Sequence, residues 1–156
     1  MKINDLQKKM MSRAISLARK GGATKAGGPF GAVITKDNEV IAESSNQVSG
    51  ENDCTQHAEL RVIQKACRSL KSTSLKGCVL FTSCEPCMMC LGAAYWAKLD
   101  NIYYGASAED AKTYGFIYSD MYYNSEQKHS EFKMIQLCRN EALEVWKELN
   151  INNKKI

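Results

Sequence analysis

Two short motifs, well separated in the chain, constrain its fold more than any other feature: H-A-E at 57–59 and P-C-M-M-C at 86–90. Cys87 and Cys90 are three positions apart, so on a helix they share one face and can hold one ion. The partial positive charge at a helix N-terminus favours their thiolate forms. With His57 as a third ligand, the fold must bring two helix starts together.

This ligand set has the chemistry of a zinc site. Two thiolates and a neutral imidazole leave one tetrahedral position open, as in catalytic zinc, whereas structural zinc has a fourth protein ligand. Glu59 can converge with His57 only over the end of a helix, toward which side chains lean. There it reaches a zinc-bound water, whose pKa falls to about 7 from about 15.7, and can take and return its proton. We predict that His57, Cys87 and Cys90 bind Zn²⁺ and that Glu59 is catalytic.

Three other interpretations of these motifs must be weighed. Cys84, Cys87 and Cys90 form a C-x₂-C-x₂-C run of the kind that binds an iron–sulfur cluster. No fourth cysteine follows at cluster spacing, however, and Pro86 lies within the run. A C-x-x-C at a helix start is also typical of thioredoxin-like redox proteins, although the preceding proline and the order of elements argue against that class. A non-enzymatic zinc module would give Glu59 no role.

Helical and strand patterns alternate along the chain, which predicts an α/β fold with three α/β/α layers and a mixed sheet covered on both faces. The predicted strands cover residues 30–35, 40–43, 77–83, 101–105 and 132–137. The first two form a hairpin, which makes the sheet mixed. In such sheets, active sites lie outside strand ends, where loops enter helices.

The predicted helices have recognisable starts. The first begins at Asn4 or Asp5 and ends at the glycines 21–22. Asp53 and Gln56 resemble a capping box for a helix that ends near residue 70. Pro86 suits the first position of a helix that runs to about residue 97. An amphipathic helix closes the chain, and the stretch 106–131 is the least regular.

Length and cysteine content narrow the class further. The 156 residues suit one domain, 1–156, with a sizeable core. Seven cysteines cannot all pair internally, and clustered cysteines without a secretion signal are more typical of metal ligands than of disulfides. We interpret the other cysteines as small core residues and His129, in a polar stretch, as a surface residue; those cysteines are Cys54, Cys67, Cys78 and Cys138.

Charge and hydropathy indicate location and partners. The chain has no apolar run long enough to span a membrane and opens with no signal-peptide pattern, so we predict a soluble cytoplasmic protein. The net charge of +4 is too mild to indicate nucleic-acid binding. Residues 1–25 contain seven cations and one anion, which we interpret as a solvated helix face.

The motifs together resemble a known family. H-x-E with P-C-x-x-C is the signature of zinc nucleobase deaminases. The match extends to G-P-F-G-A-V-I at 28–34, T-S-C-E at 82–85 and Y-W-A at 95–97, and in these segments the chain resembles bacterial guanine deaminases. The resemblance covers nearly the whole chain and is strongest over 28–105. It implies a cytidine-deaminase-like fold with a five-stranded mixed sheet, and a homodimer whose C-terminal segments are exchanged between subunits.

The resemblance also implies a reaction and a set of substrate contacts. These enzymes hydrolyse guanine to xanthine and ammonia. Asn46 matches a position that hydrogen-bonds the purine, and Phe30 and the His57 ring resemble walls on either side of the flat base. Without a ligand role, Asn46 would cap a turn and Phe30 would pack in the core. The residues expected to contact substrate are Asn46, Phe30, Ala58, Tyr118 and Asp120.

Two departures from the family pattern concern substrate recognition. After Gly115 and Phe116 the family has two acidic residues, the second of which pairs with the guanine edge. This chain has Ile117 and Tyr118 there, with Asp120 displaced by two positions, and it ends in isoleucine where the family tends to have an aromatic residue. Guanosine, isocytosine or a triazine are therefore alternative substrates. A tRNA adenosine deaminase, which shares the zinc motifs, is a second alternative, supported only by the basic N-terminal segment.

Overall fold

The computed structural model describes residues 2–116 and 127–151. Its centre is a five-stranded mixed sheet with the strand order β2-β1-β3-β4-β5. The β1 strand is antiparallel to β2 and to β3, whereas β3, β4 and β5 are parallel to one another. The strands are β1 (Gly31–Lys36), β2 (Glu39–Ser45), β3 (Cys78–Cys84), β4 (Asn101–Ala106) and β5 (Met134–Gln136).

Helices cover both faces of this sheet. The helices α1 and α7 pack on one face, and α3 and α4 pack on the other. The predicted three-layer α/β/α architecture with a mixed sheet is thus confirmed. The helices are α1 (Asp5–Gly22), α2 (Val48–Glu51), α3 (Ala58–Leu70), α4 (Met88–Ala97), α5 (Ala108–Thr113), α6 (Gln127–Glu131) and α7 (Arg139–Glu148).

Strand periodicity divides the core into two halves. Successive side chains of a strand point to opposite faces. Val33 of β1 and Phe81 of β3 therefore pack with α1 and α7, whereas Ile34 and Leu80 pack with α3 and α4. Thr82 lies on the same face as Leu80, so its hydroxyl points toward α3. The register of the central strand β3 thus determines which of its side chains face α3.

The close fit of α1 on the sheet depends on one glycine. A Cβ at Gly31 would overlap the backbone of Ala14 and Ala18 in α1. Backbone atoms in a packed helix cannot yield cheaply, so only glycine lets α1 approach β1 this closely. The contact fixes the beginning of β1, the strand that Phe30 precedes.

The predicted start of α3 is wrong. Asp53 and Gln56 do not form a capping box; instead the Asp53 carboxylate accepts hydrogen bonds from the Thr55 backbone N–H (2.9 Å) and from the Gln56 side-chain amide (2.8 Å). This local turn satisfies the same polar groups without a helix. The N-cap is His57, and α3 begins at Ala58.

The start of α4 is also later than predicted. Cys87 is the N-cap, with extended backbone angles, and α4 begins at Met88, so Pro86 precedes the cap instead of occupying the first helical position. In the stretch predicted to be least regular, Ser107 and Asp110 form a capping box that starts α5. Cys54 is exposed, contrary to its predicted place in the core, because it lies in the loop before His57.

The other predicted core cysteines lie on or near the core. Cys78 is buried, and Cys67 and Cys138 are partly buried. Within residues 2–116 and 127–151, no helix has the length and apolar character that crossing a membrane requires.

Candidate active site

The predicted zinc ligands lie at two helix tips that face each other. His57 is the N-cap of α3, and Cys87 is the N-cap of α4. Cys90 is in the first turn of α4, three residues further on. The loop that carries Cys87 leaves the carboxyl end of β3, so the site lies outside the strand end, as the sequence predicts.

The geometry of the three side chains fits a zinc ion. The His57 Nδ1 atom lies 3.6 Å from the Cys87 Sγ and 3.7 Å from the Cys90 Sγ. All three ligand atoms lie within 4.8 Å of one another. With Zn–S bonds of about 2.3 Å and a Zn–N bond of about 2.0 Å, tetrahedral coordination separates sulfur and nitrogen by about 3.6 Å. The residues present therefore match three corners of a tetrahedral zinc site.

The electrostatics of the cysteine pair prepare it for a cation. A hydrogen bond from Cys90 lowers the pKa of the Cys87 thiol to about 4, and His57 contributes in the same direction. The same hydrogen bond, together with burial, raises the pKa of Cys90. One sulfur is therefore already a thiolate at neutral pH, and the other shares its proton with it until a metal replaces that proton.

Glu59 lies beside the three ligands and is not one of them. Its side chain is buried, and burial together with the nearby Cys87 thiolate raises the pKa of its carboxyl group to about 7. The Thr82 hydroxyl lies 3.2 Å from its Oε1 atom, and its Oε2 atom lies 3.9 Å from the Cys90 Sγ. Such a group can both take up and release a proton near neutral pH.

Asn46 is held rigidly where β2 ends. It is buried, and its Oδ1 atom accepts hydrogen bonds from the backbone N–H groups of Gly28 (3.2 Å) and Val48 (3.1 Å). The turn-capping role is therefore present in the structure. Since Oδ1 faces two donors, the side-chain orientation is fixed with Nδ2 directed away from them. No acceptor among the described residues pairs with that amide nitrogen.

Glycine makes this arrangement possible. A Cβ at Gly27 would overlap the Asn46 backbone and Oδ1. The loop before β1 can therefore approach Asn46 only without a side chain there. Gln47, the residue after Asn46, donates its backbone N–H to the Gln56 carbonyl at 3.0 Å. This hydrogen bond places the segment after β2 beside the residue that precedes His57.

The other predicted substrate contacts have varied surroundings. Phe30 is partly buried, with its ring edge-on to Phe116 (centroids 4.9 Å apart) and to Trp146 (5.9 Å), so it has the predicted packing role. Ala58 is fully buried at the first position of α3. Tyr118 and Asp120 lie outside the described residues. Contact of these residues with substrate stays a prediction.

Glu85 is a buried group that the sequence reasoning missed. It precedes Pro86 in the loop to α4, and its Oε2 accepts the Ala108 backbone N–H at 2.7 Å. Its Oε1 lies 2.8 Å from the His129 Nε2. An acidic residue beside a metal motif is the only sequence signal, and it does not reveal burial. Glu85 ties the Cys87 loop to α5 and α6.

His129 is more than the surface residue predicted. Its side chain is 42% exposed, but its ring is paired with buried Glu85 and stacks parallel on Tyr104 of β4, with centroids 5.8 Å apart. The predicted surface position agrees with this exposure, but the pairing with Glu85 was not predicted, because nothing in the polar sequence around His129 shows that α6 folds back onto the sheet.

Comparisons with known proteins agree with this geometry. The sequence model of the cytidine and deoxycytidylate deaminase zinc-binding region matches residues 4–106. A guanine deaminase of Bacillus subtilis (strain 168) is 43% identical over 150 residues, which are 93% of this chain and 95% of that protein. An X-ray structure of guanine deaminase from B. subtilis, 40% identical, covers 84% of this chain and 92% of its own, with a TM-score of 0.72.

A tRNA-specific adenosine deaminase of Agrobacterium fabrum (strain C58) is also similar. It is 45% identical, but over 78 residues, which are 50% of this chain and 51% of that protein. The likeness to it is therefore confined to about half of either chain, whereas the likeness to guanine deaminase spans nearly all of both.

The ligand set predicts a specific pattern of metal loss. Wild-type protein should contain about one zinc per chain. His57→Ala should lose the ion because it removes a ligand, whereas Glu59→Gln should retain it because Glu59 is not a ligand. Zinc and iron are measured by emission spectrometry on protein purified without added metal.

The second histidine of the chain provides the matched control. His129→Ala should keep its zinc, since the imidazole of His129 pairs with Glu85 and not with the metal-binding sulfurs. Equal zinc in the His57→Ala and His129→Ala variants, or stoichiometric iron in place of zinc, would contradict the proposed site.

Proposed function

The chain belongs to the cytidine and deoxycytidylate deaminase family of zinc enzymes, and on this premise we propose that it hydrolyses guanine to xanthine and ammonia. The observation that carries the proposal is Glu59: a buried carboxyl group with a pKa of about 7, placed beside a three-ligand zinc centre and outside its ligand set. A structural zinc site has no use for such a group.

The residues divide the work between metal binding and proton transfer. His57, Cys87 and Cys90 hold the zinc, which when bound acidifies a water molecule and leaves a position for it. Glu59 accepts a proton as the water oxygen bonds to the ring carbon that bears the amino group. It delivers this proton to the adjacent ring nitrogen. Glu59 then takes the proton of the new hydroxyl group on the ring carbon and passes it to the departing amino group. The C–N bond breaks and ammonia leaves.

Asn46 supports recognition of an acceptor on the ring. Because its Oδ1 is occupied by Gly28 and Val48, the side chain can offer only N–H donors to a ligand. Guanine presents a carbonyl oxygen and unprotonated ring nitrogens, which are the complementary groups. Reversing the amide would face its NH₂ toward two backbone donors, so the preference for an acceptor is built into the fold.

The basic N-terminal helix gives little support to the tRNA alternative. Arg13 pairs with Glu43, and Arg19 pairs with Glu148. Part of the positive charge of α1 is thus neutralised by neighbouring elements, whereas a nucleic-acid surface needs cations available to phosphates. A free nucleobase is the substrate class that the site favours.

A panel of substrates tests the proposal. Zinc-loaded protein is incubated with guanine, guanosine, adenine, cytosine, isocytosine and a triazine, and ammonia release is measured. We expect guanine to give the highest kcat/KM. Glu59→Gln should lower kcat by about 10²- to 10⁴-fold, the usual contribution of a general acid–base group, with zinc retained.

Other outcomes of this panel would change the conclusion. No ammonia from any compound would overturn the proposed function, and a preference for guanosine, isocytosine or the triazine would reassign its substrate. Inosine formation in an anticodon stem-loop, without turnover of free bases, would establish the tRNA reading instead.

The amide of Asn46 can be tested with little change to the turn. Asn46→Asp retains an oxygen that accepts from Gly28 and Val48 but cannot donate to the ring. We expect kcat/KM for guanine to fall by about 5- to 150-fold, the equivalent of leaving one ring acceptor unpaired at about 1–3 kcal/mol. Thermal unfolding serves as the control for the turn. Unchanged kinetics in a folded Asn46→Asp variant would remove Asn46 from the site.

We also propose a homodimer, which the resemblance implies and one helix supports. The α4 helix is apolar around its circumference, and three of its large side chains are exposed: Met88 (47%), Tyr95 (57%) and Trp96 (79%). Exposed aromatic groups of this kind mark contact surfaces. Exchange of the C-terminal segments stays a prediction: α7 packs on its own chain, and residues 152–156 lie outside the described part.

Light scattering after gel filtration tests this interface. Trp96→Glu should convert a dimer into monomers, since it places a charge in an apolar contact. Ile3→Glu, at an exposed apolar residue before α1 (36%), is the matched control and should stay dimeric. A monomeric wild type, or a Trp96→Glu variant that remains dimeric, would contradict the interface.

The state of the cysteines bears on the compartment in which the protein works. All seven cysteines are free, which suits the reducing cytoplasm and the thiolate ligands of the zinc. We propose that residues 1–156 form one deaminase domain in that compartment.

A further inference from the structure

We infer that the hydroxyl group of Thr82 is a positioning element for Glu59, one that holds its carboxyl group in place beside the predicted metal ligands. The inference rests on the proposed deaminase function and adds a residue to its machinery. Thr82 is 1% exposed in the central strand β3. It contacts the reaction only through Glu59 and is not itself a catalytic residue.

Two distances define the role. The Thr82 Oγ1 atom lies 3.2 Å from the Glu59 Oε1 and 3.0 Å from the backbone carbonyl oxygen of Cys84. The other carboxyl oxygen, Oε2, faces the metal ligands at 3.9 Å from the Cys90 Sγ. The two oxygens of Glu59 are thus distinguished: Oε1 is tethered to the strand, and Oε2 is the one available for proton transfer.

A hydroxyl group suits this position because one oxygen atom lies within hydrogen-bond distance of both neighbours. Its single proton can go to the Glu59 carboxyl oxygen or to the Cys84 carbonyl. The Thr82 Oγ1 atom therefore joins the side chain of Glu59 to the backbone at the end of β3. A side chain of the same shape without the hydroxyl group has no polar atom for this contact.

The fold makes the tether rigid. Thr82 pairs with Ala32 of β1 on one side and Tyr104 of β4 on the other, so its backbone is fixed by strands on both edges. A β-branched side chain adds stiffness at χ1. Catalytic groups tolerate little displacement, and a shift of about 1 Å can cost about a hundredfold in rate. A threonine in the middle of a sheet meets that requirement better than a residue on a loop.

Variants of nearly equal shape separate positioning from packing. Thr82→Val keeps the branched shape and removes the hydroxyl, whereas Thr82→Ser keeps the hydroxyl. We expect Thr82→Val to lower kcat by about tenfold or more, with KM within about threefold of wild type and about one zinc per chain. Thr82→Ser should restore kcat to within about threefold. Thr35→Val makes the same replacement at another buried strand threonine and should leave kcat unchanged.

A readout independent of turnover comes from crystal structures of zinc-loaded wild type and Thr82→Val. The Glu59 carboxyl group should leave its wild-type position or occupy several positions in the variant, while the three ligands stay in place. Should Thr82→Val fail to fold, Thr82→Ala and Thr82→Ser make the same comparison, since alanine lacks the hydroxyl and serine retains it.

The outcomes separate this inference from the proposed function. If wild type deaminates none of the bases, the proposed function fails, and the Glu59 position in the two crystal structures still decides the role of Thr82. An unmoved Glu59 carboxyl group in the valine variant would overturn the inference. If the wild type is active, two kinetic results would also overturn the inference. One is a kcat of Thr82→Val within twofold of wild type, and the other is an equal loss of kcat in Thr82→Ser and Thr82→Val.

Discussion

The meeting of two helix N-termini is the constraint on which the site depends. The N-cap positions of α3 and α4 hold His57 and Cys87, where helices usually have Ser, Thr, Asp or Asn. At these positions the helices forgo the usual side-chain caps, which are worth about 1 kcal/mol each. In return, the zinc ligands stand at the tips, where the positive ends of both helix dipoles face the thiolates.

The same geometry explains how a carboxyl group can be close to zinc and remain free. Glu59 lies in the first turn of α3, two residues after its N-cap. Over a helix end, residues two apart can converge, whereas along the flank they point apart. Burial would normally make a third anion beside two thiolates costly. The raised pKa of Glu59 is the response, because it lets the carboxyl group hold a proton near neutral pH.

The sheet supplies the rigidity that the helix tips lack. Thr82 in β3 contacts Glu59, and Asn46 at the end of β2 is fixed by two backbone donors. Glu85 connects the loop before Cys87 to α5 and to His129. Each of these groups is remote from His57 in the sequence or at another element, so the site is assembled from strands and helices together.

Sequence patterns predicted the layers and the chemistry well and the element boundaries less well. The strands β1 to β5 and the helices α1, α3, α4 and α7 were all predicted, because their apolar periodicity is strong. The starts of α3 and α4 were placed too early, since Asp53 and Pro86 carry start signals that local turns use equally well. The helix α5 was overlooked, although Ser107 and Asp110 have the spacing of a capping box. Cys54 was misplaced, and the contacts of His129 with Glu85 and Tyr104 were not predicted, because burial and contacts depend on how distant segments pack.

The sequence by itself predicted the metal, its ligands and the general acid–base group, since the spacing of His57, Glu59, Cys87 and Cys90 permits few other chemistries. It also determined the fold class, through the alternation of helical and strand periodicities. Only the tertiary structure decided which helix positions those residues occupy, which oxygen of Glu59 faces the predicted metal ligands and which groups support Glu59. Thr82, Glu85 and the orientation of Asn46 depend on contacts between elements far apart in the chain, and no local pattern encodes those contacts.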